Sequence, residues 1–119
     1  MNTTRALRIP DYLDHILQAI SRIKNYTHDM TAATFLHDEK TQDAVIRNIE
    51  IIGEAARNIE RNHPDFANQH AGVPWGTAYE MRNVLAHGYF KVDFEIVWKT
   101  IEKDLPELEK KILAIRTQV

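Results

Sequence analysis

The 119-residue sequence contains no cysteine, which excludes a disulfide framework and thiolate chemistry. Glycine and proline are scarce, at four residues each, and this argues against collagen-like chains, Gly-rich phosphate loops and disordered low-complexity segments. No apolar run approaches the roughly 20 residues that span a bilayer, and no apolar segment follows the first residues as in a secretory signal. These absences predict a cytoplasmic protein that does not enter membranes.

Two kinds of catalytic group are also poorly represented. Ser21 is the only serine and falls inside a predicted helix, so a serine nucleophile is not expected. No two of the six histidines are three to five residues apart, and the sequence lacks His-Glu-x-x-His. We therefore expect neither a catalytic metal nor another cofactor.

The net charge of −2 restricts how the chain could bind nucleic acid. Proteins that bind long duplexes through phosphate contacts are usually strongly basic, because each neutralised phosphate needs a lysine or an arginine. A nucleic-acid substrate would therefore have to bind in a local basic pocket.

Apolar residues recur at three- and four-residue spacing throughout, which is the period of an α-helix. Pro10 opens a first helix, and a connection over 25–37 holds one short turn at 31–36. A second helix runs from about Asp38 to Asn62 and is followed by a loop over 64–73. The predicted buried stripes of these two helices are Leu13, Ile16, Leu17, Ile20 and Ile23, then Val45, Ile49, Ile52, Ala56 and Ile59.

The second half of the chain predicts three further helices. Pro74 opens the third, which ends near His87, where Gly88 can form the left-handed cap. Asp93 caps a fourth helix, and Asp104 with Glu107 forms a predicted capping box for the last. The sequence thus predicts one all-α domain over residues 1–119, an antiparallel bundle of four to five helices.

Arg82 and His87 are the candidate catalytic pair. Five residues separate them, about 140° around a helix, so they share one side only if the helix ends between them. His87 would then lie at the helix carboxyl end, where the dipole favours the imidazolium, and Arg82 offers a planar cation for a phosphate. A cation and a titrating imidazole suffice for attack of an RNA 2′-hydroxyl on its own phosphate. The alternative is that both residues cap carbonyls and face solvent.

Residues 82–89, Arg-Asn-Val-Leu-Ala-His-Gly-Tyr, resemble the Arg-x4-His-x-Tyr signature of the HepT-like toxins, a family of HEPN ribonucleases. Val73-Pro74-Trp75 and Met81 resemble that family's entry into the helix, and the segment 42–56 is similar to its other marked region. The resemblance covers nearly the whole chain in order.

This resemblance implies a metal-independent endoribonuclease toxin of a type VII-like toxin–antitoxin system. It implies a homodimer in which Arg82 and His87 of both protomers meet in one cleft, which would provide a general base and a general acid. It also implies a partner, a minimal nucleotidyltransferase antitoxin that adenylylates Tyr89. The added AMP would place bulk and negative charge beside the catalytic pair and exclude RNA.

Two residues have supporting roles by the same resemblance. Asn83 would help to position the cleft, and Glu54 would orient the catalytic arginine. Glu54 could equally form an ordinary surface ion pair with Arg57 or Arg61. An alternative function is a non-catalytic HEPN module that binds a nucleotidyltransferase and nucleotide without cleaving RNA.

Overall fold

The computed structural model of the protein describes residues 7–86 and 92–119, and over 82–86 it describes the backbone alone. No strand occurs within these ranges, which confirms the predicted all-α class. In chain order the elements are α1 Ile9–Thr27, α2 Ala32–Phe35, α3 Glu39–Asn62, α4 Pro64–Gln69, α5 Trp75–Ala86, α6 Phe94–Lys99, a π-helical segment Thr100–Asp104, and α7 Leu105–Arg116.

Helix α1 lies antiparallel to both α3 and α7. Near its start, the Tyr12 hydroxyl accepts a hydrogen bond of 3.3 Å from Asn62 Nδ2 at the end of α3. Along α7, Asp14 contacts Arg116 and Lys24 contacts Glu109, so residue numbers rise along one helix as they fall along the other. The predicted antiparallel arrangement is therefore present around α1.

The core follows the helical periodicity of the sequence. The predicted stripes of α1 and α3 are buried, apart from the half-buried Leu17. Burial of one such side chain contributes about 1.5–3 kcal/mol to folding stability. The apolar stripes of α1 and α3 therefore provide most of the stabilisation between these helices. The other core residues include Phe35, Trp75, Ala78, Val97, Leu105, Leu108, Ile112 and Ile115.

Phe35 of α2 attaches α6 to the rest of the bundle. Its side chain is fully buried, and its ring lies 6.2 Å from that of Phe94 and 5.3 Å from that of Trp98, measured between centroids. Gln42 Nε2 donates a 2.9 Å hydrogen bond to the Phe35 carbonyl. The four-residue helix α2 thus holds α6 in place. In the chain, α6 is the first helix after His87.

The predicted loop over 64–73 was partly wrong, because Pro64–Gln69 is a helix. Pro64 occupies the first turn, where its missing N–H costs nothing. Phe66 and Ala67 are buried, and the Phe66 ring lies 6.4 Å from that of Trp75. Two apolar side chains in a polar segment were too few to predict this helix from periodicity.

The predicted capping box at Asp104 and Glu107 was also wrong. Asp104 has helical backbone angles and makes no side-chain cap hydrogen bond, since α6 continues through the π-helical segment into α7. The Leu105 N–H donates to the Thr100 carbonyl five residues earlier. This wider turn accommodates Pro106, which lacks an N–H and would clash with the carbonyl four residues before it.

None of the helices in the described residues has the length and apolar character needed to cross a membrane.

Candidate active site

Helix α5 carries the backbone of Arg82. Its first turn is anchored by Trp75, which is buried and donates a 3.2 Å hydrogen bond from Nε1 to the His70 carbonyl. Ala78, one turn later, is also buried. Because Arg82 follows these residues by seven and four positions, it occupies the same face of the helix. This face of α5 packs on the core at Trp75 and Ala78.

Helix α5 packs against α3, and the two helices run in opposite directions. Near the end of α3, Glu60 shares a cavity with Trp75 and Gly76 at the start of α5. Further back along α3, Ile49 shares a cavity with Met81. Residue numbers therefore fall along α3 as they rise along α5.

A contact between Arg57 and Tyr79 joins the two helices. The guanidinium carbon of Arg57 lies 4.7 Å from the centroid of the Tyr79 ring. Glu54 is three residues before Arg57, and Arg82 is three residues after Tyr79, which is close to one turn in each helix. In this antiparallel pair, Glu54 and the backbone of Arg82 lie on the same side of the contact, toward the start of α3 and the end of α5.

A polar cavity of about 150 Å³ lies along this contact. Glu54, Arg57, Asn58, Arg61 and Tyr79 line it. We call it the arginine cavity. Glu54 is exposed, and no ion pair joins it to Arg57 or Arg61, although both arginines are at helical spacing from it. The ordinary surface ion pair considered from the sequence is therefore absent.

The remaining predicted site residues are only partly within the described region. Arg82 and Asn83 belong to α5, and nothing is described of their side chains. His87, Gly88 and Tyr89 lie outside the described residues, so the predicted helix end and cap at this point stay predictions. After them, the Asp93 side chain accepts hydrogen bonds from the backbone of Glu95 and Ile96 at 3.0 and 3.3 Å, which confirms it as the cap of α6.

In residues 7–86 and 92–119, no three histidine, aspartate or glutamate side chains lie close enough together to hold a metal ion. Tyr79, which the fold places against Arg57, was not among the residues predicted from the sequence. Its position one turn before Arg82 was the available signal, because residues three apart are neighbours on a helix.

The fold and the arrangement of these residues define an all-α helical bundle of HEPN type. A family model described as "Ribonuclease HepT-like" matches residues 16–115. The chain therefore belongs to the HepT-like ribonuclease family.

Individual relatives agree with this assignment. The chain is 44% identical to the "Probable ribonuclease HepT" of Thermococcus cleftensis, over 89% of this chain and 94% of that protein. It is 38% identical to a "Putative RNase" of Caldanaerobacter subterraneus, over 87% and 90% of the two chains. It is 42% identical to a "Gamma-glutamylcyclotransferase and putative RNase" of Methanocaldococcus jannaschii, over 91% of this chain but 47% of that longer protein. No solved structure matches the chain.

Proposed function

We propose that this protein is a metal-independent endoribonuclease of the cytoplasm that cuts RNA with Arg82 and His87. The observation that carries the proposal is the antiparallel packing of α5 on α3, which sets Arg57 against Tyr79, one turn before Arg82 in the sequence. Membership of the HepT-like ribonuclease family supports the same function.

The proposed reaction is an internal transesterification. The neutral imidazole of His87 removes the proton of an RNA 2′-hydroxyl, whose oxygen attacks the adjacent phosphorus. The bond from phosphorus to the 5′-oxygen breaks, and that oxygen receives a proton from a second, protonated imidazole. The Arg82 guanidinium stabilises charge on the phosphoryl oxygens. The products are a 2′,3′-cyclic phosphate and a 5′-hydroxyl.

The need for two imidazoles supports a homodimer. One histidine cannot be base and acid in the same step, and a two-fold axis would bring His87 of a second protomer to the same phosphate. The proposed unit is therefore two copies of one domain over residues 1–119, with a composite cleft. Asn83 positions this cleft. Glu54 orients Arg82. Its place in the arginine cavity with Tyr79, one turn before Arg82, and its lack of an ion pair with Arg57 or Arg61 suit this role.

The proposed regulator is a minimal nucleotidyltransferase, which acts as the antitoxin of a type VII-like system. It transfers AMP from ATP to the Tyr89 hydroxyl: the bond between the α- and β-phosphates breaks, a phosphodiester to the tyrosine oxygen forms, and pyrophosphate leaves. The added phosphate and nucleoside beside Arg82 and His87 would repel and obstruct RNA.

Cleavage of a labelled oligoribonucleotide by the purified protein tests the catalytic part. We expect cleavage in EDTA with a 2′,3′-cyclic phosphate on the product, and a loss of about 100- to 1,000-fold in Arg82→Ala or His87→Ala. Arg22→Ala, which removes an exposed arginine of α1, is the matched control. Activity that disappears in EDTA and returns with magnesium would overturn the mechanism. A folded wild type that binds nucleotide and partner without cleaving RNA would identify the interaction module instead.

The regulatory part is tested by intact-mass measurement after co-expression with a minimal nucleotidyltransferase, which we expect the neighbouring reading frame to encode. Wild type should gain mass in AMP increments, whereas Tyr89→Phe should stay unmodified, retain cleavage and escape neutralisation. A wild type that stays unmodified and is nevertheless silenced would mean that the partner inhibits by binding alone.

A further inference from the structure

The arginine cavity has a surplus of positive charge. Two guanidinium groups, of Arg57 and Arg61, line it together with one carboxylate, of Glu54. Arg57 and Arg61 are both exposed, and neither forms an ion pair within the part of the chain that the structure describes. Their charge is therefore available to an external anion.

Other cavities lined by described residues differ in charge. The groove between α5 and α7 is lined by Lys103 and Lys111, but also by Asp104 and Glu107, so its charges balance. In this groove, Lys111 Nζ lies 3.8 Å from Glu107 Oε1. The cavities that contain Glu80 have acidic residues and no cation in their lining. On a chain with a net charge of −2, a polyanion is attracted to the arginine cavity and not to these others.

The donors of the arginine cavity suit a phosphodiester. The Arg57 guanidinium lies over the face of the Tyr79 ring at 4.7 Å, a cation–π contact that limits its motion and leaves its edge N–H groups free to donate. Arg61 follows one turn later and Asn58 adds an amide. Guanidinium groups bind phosphate oxygens through paired hydrogen bonds, which are stronger than neutral ones.

Distance along α5 connects this cavity to the proposed cleavage site. Tyr79 and Arg82 are three residues apart, a rise of about 4.5 Å along the helix. Arg57 contacts Tyr79, so its guanidinium lies beside the helix about one turn before Arg82. An RNA strand that runs along α5 from Arg82 toward the start of the helix would therefore pass the arginine cavity with its next phosphate.

We propose that the arginine cavity is a subsite for the RNA phosphodiester next to the one that is cut. This inference rests on the proposed ribonuclease function and specifies its substrate: a single strand with at least two phosphodiesters. The subsite would supply the local basic pocket that an acidic protein needs in order to bind RNA.

The test is binding of a 2′-O-methyl oligoribonucleotide, which lacks the attacking hydroxyl and so cannot be cut. Its dissociation constant is measured by fluorescence anisotropy at several salt concentrations. Loss of the one phosphate bound by this subsite in Arg57→Gln/Arg61→Gln should make the slope of log affinity against log salt shallower by about 0.7, the value for one neutralised phosphate on a single strand. Between 50 and 200 mM salt this corresponds to a loss of affinity roughly 2.6-fold smaller than in wild type.

Two control variants separate charge at the cavity from charge elsewhere. Arg57→Lys/Arg61→Lys keeps both cations and should retain the wild-type slope. Arg22→Gln removes an exposed arginine of α1 and should also retain it. A double glutamine variant with the wild-type slope, or an Arg22→Gln variant whose slope falls as much as that of a single cavity substitution, would overturn the subsite.

Cleavage kinetics separate this inference from the proposed function. With an oligoribonucleotide, the double glutamine variant should raise KM more than it lowers kcat, and its loss of kcat/KM should exceed its loss on a dinucleotide, which has one phosphodiester. Equal losses on both substrates would mean that the arginines do not contact a neighbouring phosphate. A wild type that neither binds nor cuts RNA would refute the ribonuclease proposal as well. If the wild type cuts both substrates and the double glutamine variant cuts them with the same kcat and KM, only the subsite is refuted.

Discussion

Charged residues are used differently at two edges of this bundle. Between α1 and α7, Asp14 contacts Arg116 at 2.8 Å and Lys24 contacts Glu109 at 3.1 Å, so each charge has a partner of opposite sign. Between α3 and α5, the arginine cavity holds charges that form no ion pairs within the described residues. A paired edge has its charges satisfied by the protein itself, whereas an unpaired edge can bind an anion or orient another side chain. The comparison predicts that substitutions at the first edge change stability and those at the second change activity.

The largest effect on stability should come from the buried core face of α1, the helix that forms one side of the paired edge. Ile20 of α1 is fully buried, and Ile20→Ala should lower the free energy of unfolding by about 2–5 kcal/mol, because it removes buried methyl groups and leaves a cavity. Denaturant unfolding measures this loss. Leu113→Ala on α7, where the side chain is half exposed, should cost far less. Similar losses for the two variants would contradict the assignment of the core.

Glu54→Gln should instead lower activity and leave stability unchanged. If Glu54 orients Arg82, loss of its charge should reduce kcat by up to about 100-fold, because a misplaced catalytic group loses most of its effect. The thermal unfolding midpoint should stay close to that of wild type, since Glu54 is exposed and has no ion pair with Arg57 or Arg61. Glu60→Gln, an exposed acid on the same helix, is the control. A fall in the midpoint with unchanged kcat would indicate a structural role for Glu54 instead.

A smaller effect is expected at the start of α6. Asp93 accepts hydrogen bonds from two backbone N–H groups of the first turn, so Asp93→Ala should cost about 1 kcal/mol of stability. Asp93→Asn should keep most of this contribution, because its amide oxygen can accept the same bonds. Chemical denaturation of the three proteins checks the order, and an alanine variant as stable as wild type would mean that the cap contributes nothing.

The smallest effect belongs to the ion pair of Asp14 and Arg116. Its hydrogen bond from Arg116 lowers the pKa of the Asp14 carboxyl below the ordinary value of 3.8. A depressed pKa stabilises the folded state above the unfolded-state pKa, and this contribution is lost as the pH falls through the lower folded-state pKa. Because the Asp14 side chain is exposed and that of Arg116 is only partly buried, solvent screens the pair and the contribution is small.

Thermal unfolding of Asp14→Asn across this pH range tests the pair. The variant should unfold slightly earlier than wild type at neutral pH, and the difference should shrink as the pH falls below 3.8. Asp43→Asn, at an exposed aspartate of α3 outside the described ion pairs, should show no such pH-dependent difference. A difference for Asp14→Asn that persists at the lowest pH would contradict the assignment.

The sequence by itself determined the helices and most of the core, because a period of three to four residues reports locally which side of a helix is buried. The stripe from Val45 to Ile59 and the cap at Asp93 were predictable for this reason. The sequence also contains the segment from Arg82 to Tyr89, and its residue types and spacing predict the catalytic groups before any fold is known.

Only the tertiary structure decided which residues of different helices meet. Tyr79 and Arg57 are 22 residues apart in the sequence, and their contact depends on the direction and register of two helices, which no local pattern contains. The same applies to the helix at Pro64–Gln69, which depends on burial of Phe66 next to Trp75. At Thr100–Asp104, continuation of the backbone hydrogen bonds around Pro106 replaced the separate cap that the side chains predicted. Packing energy outweighed local preference at these positions, because each is determined by contacts with residues distant in sequence or by the path of the whole helix.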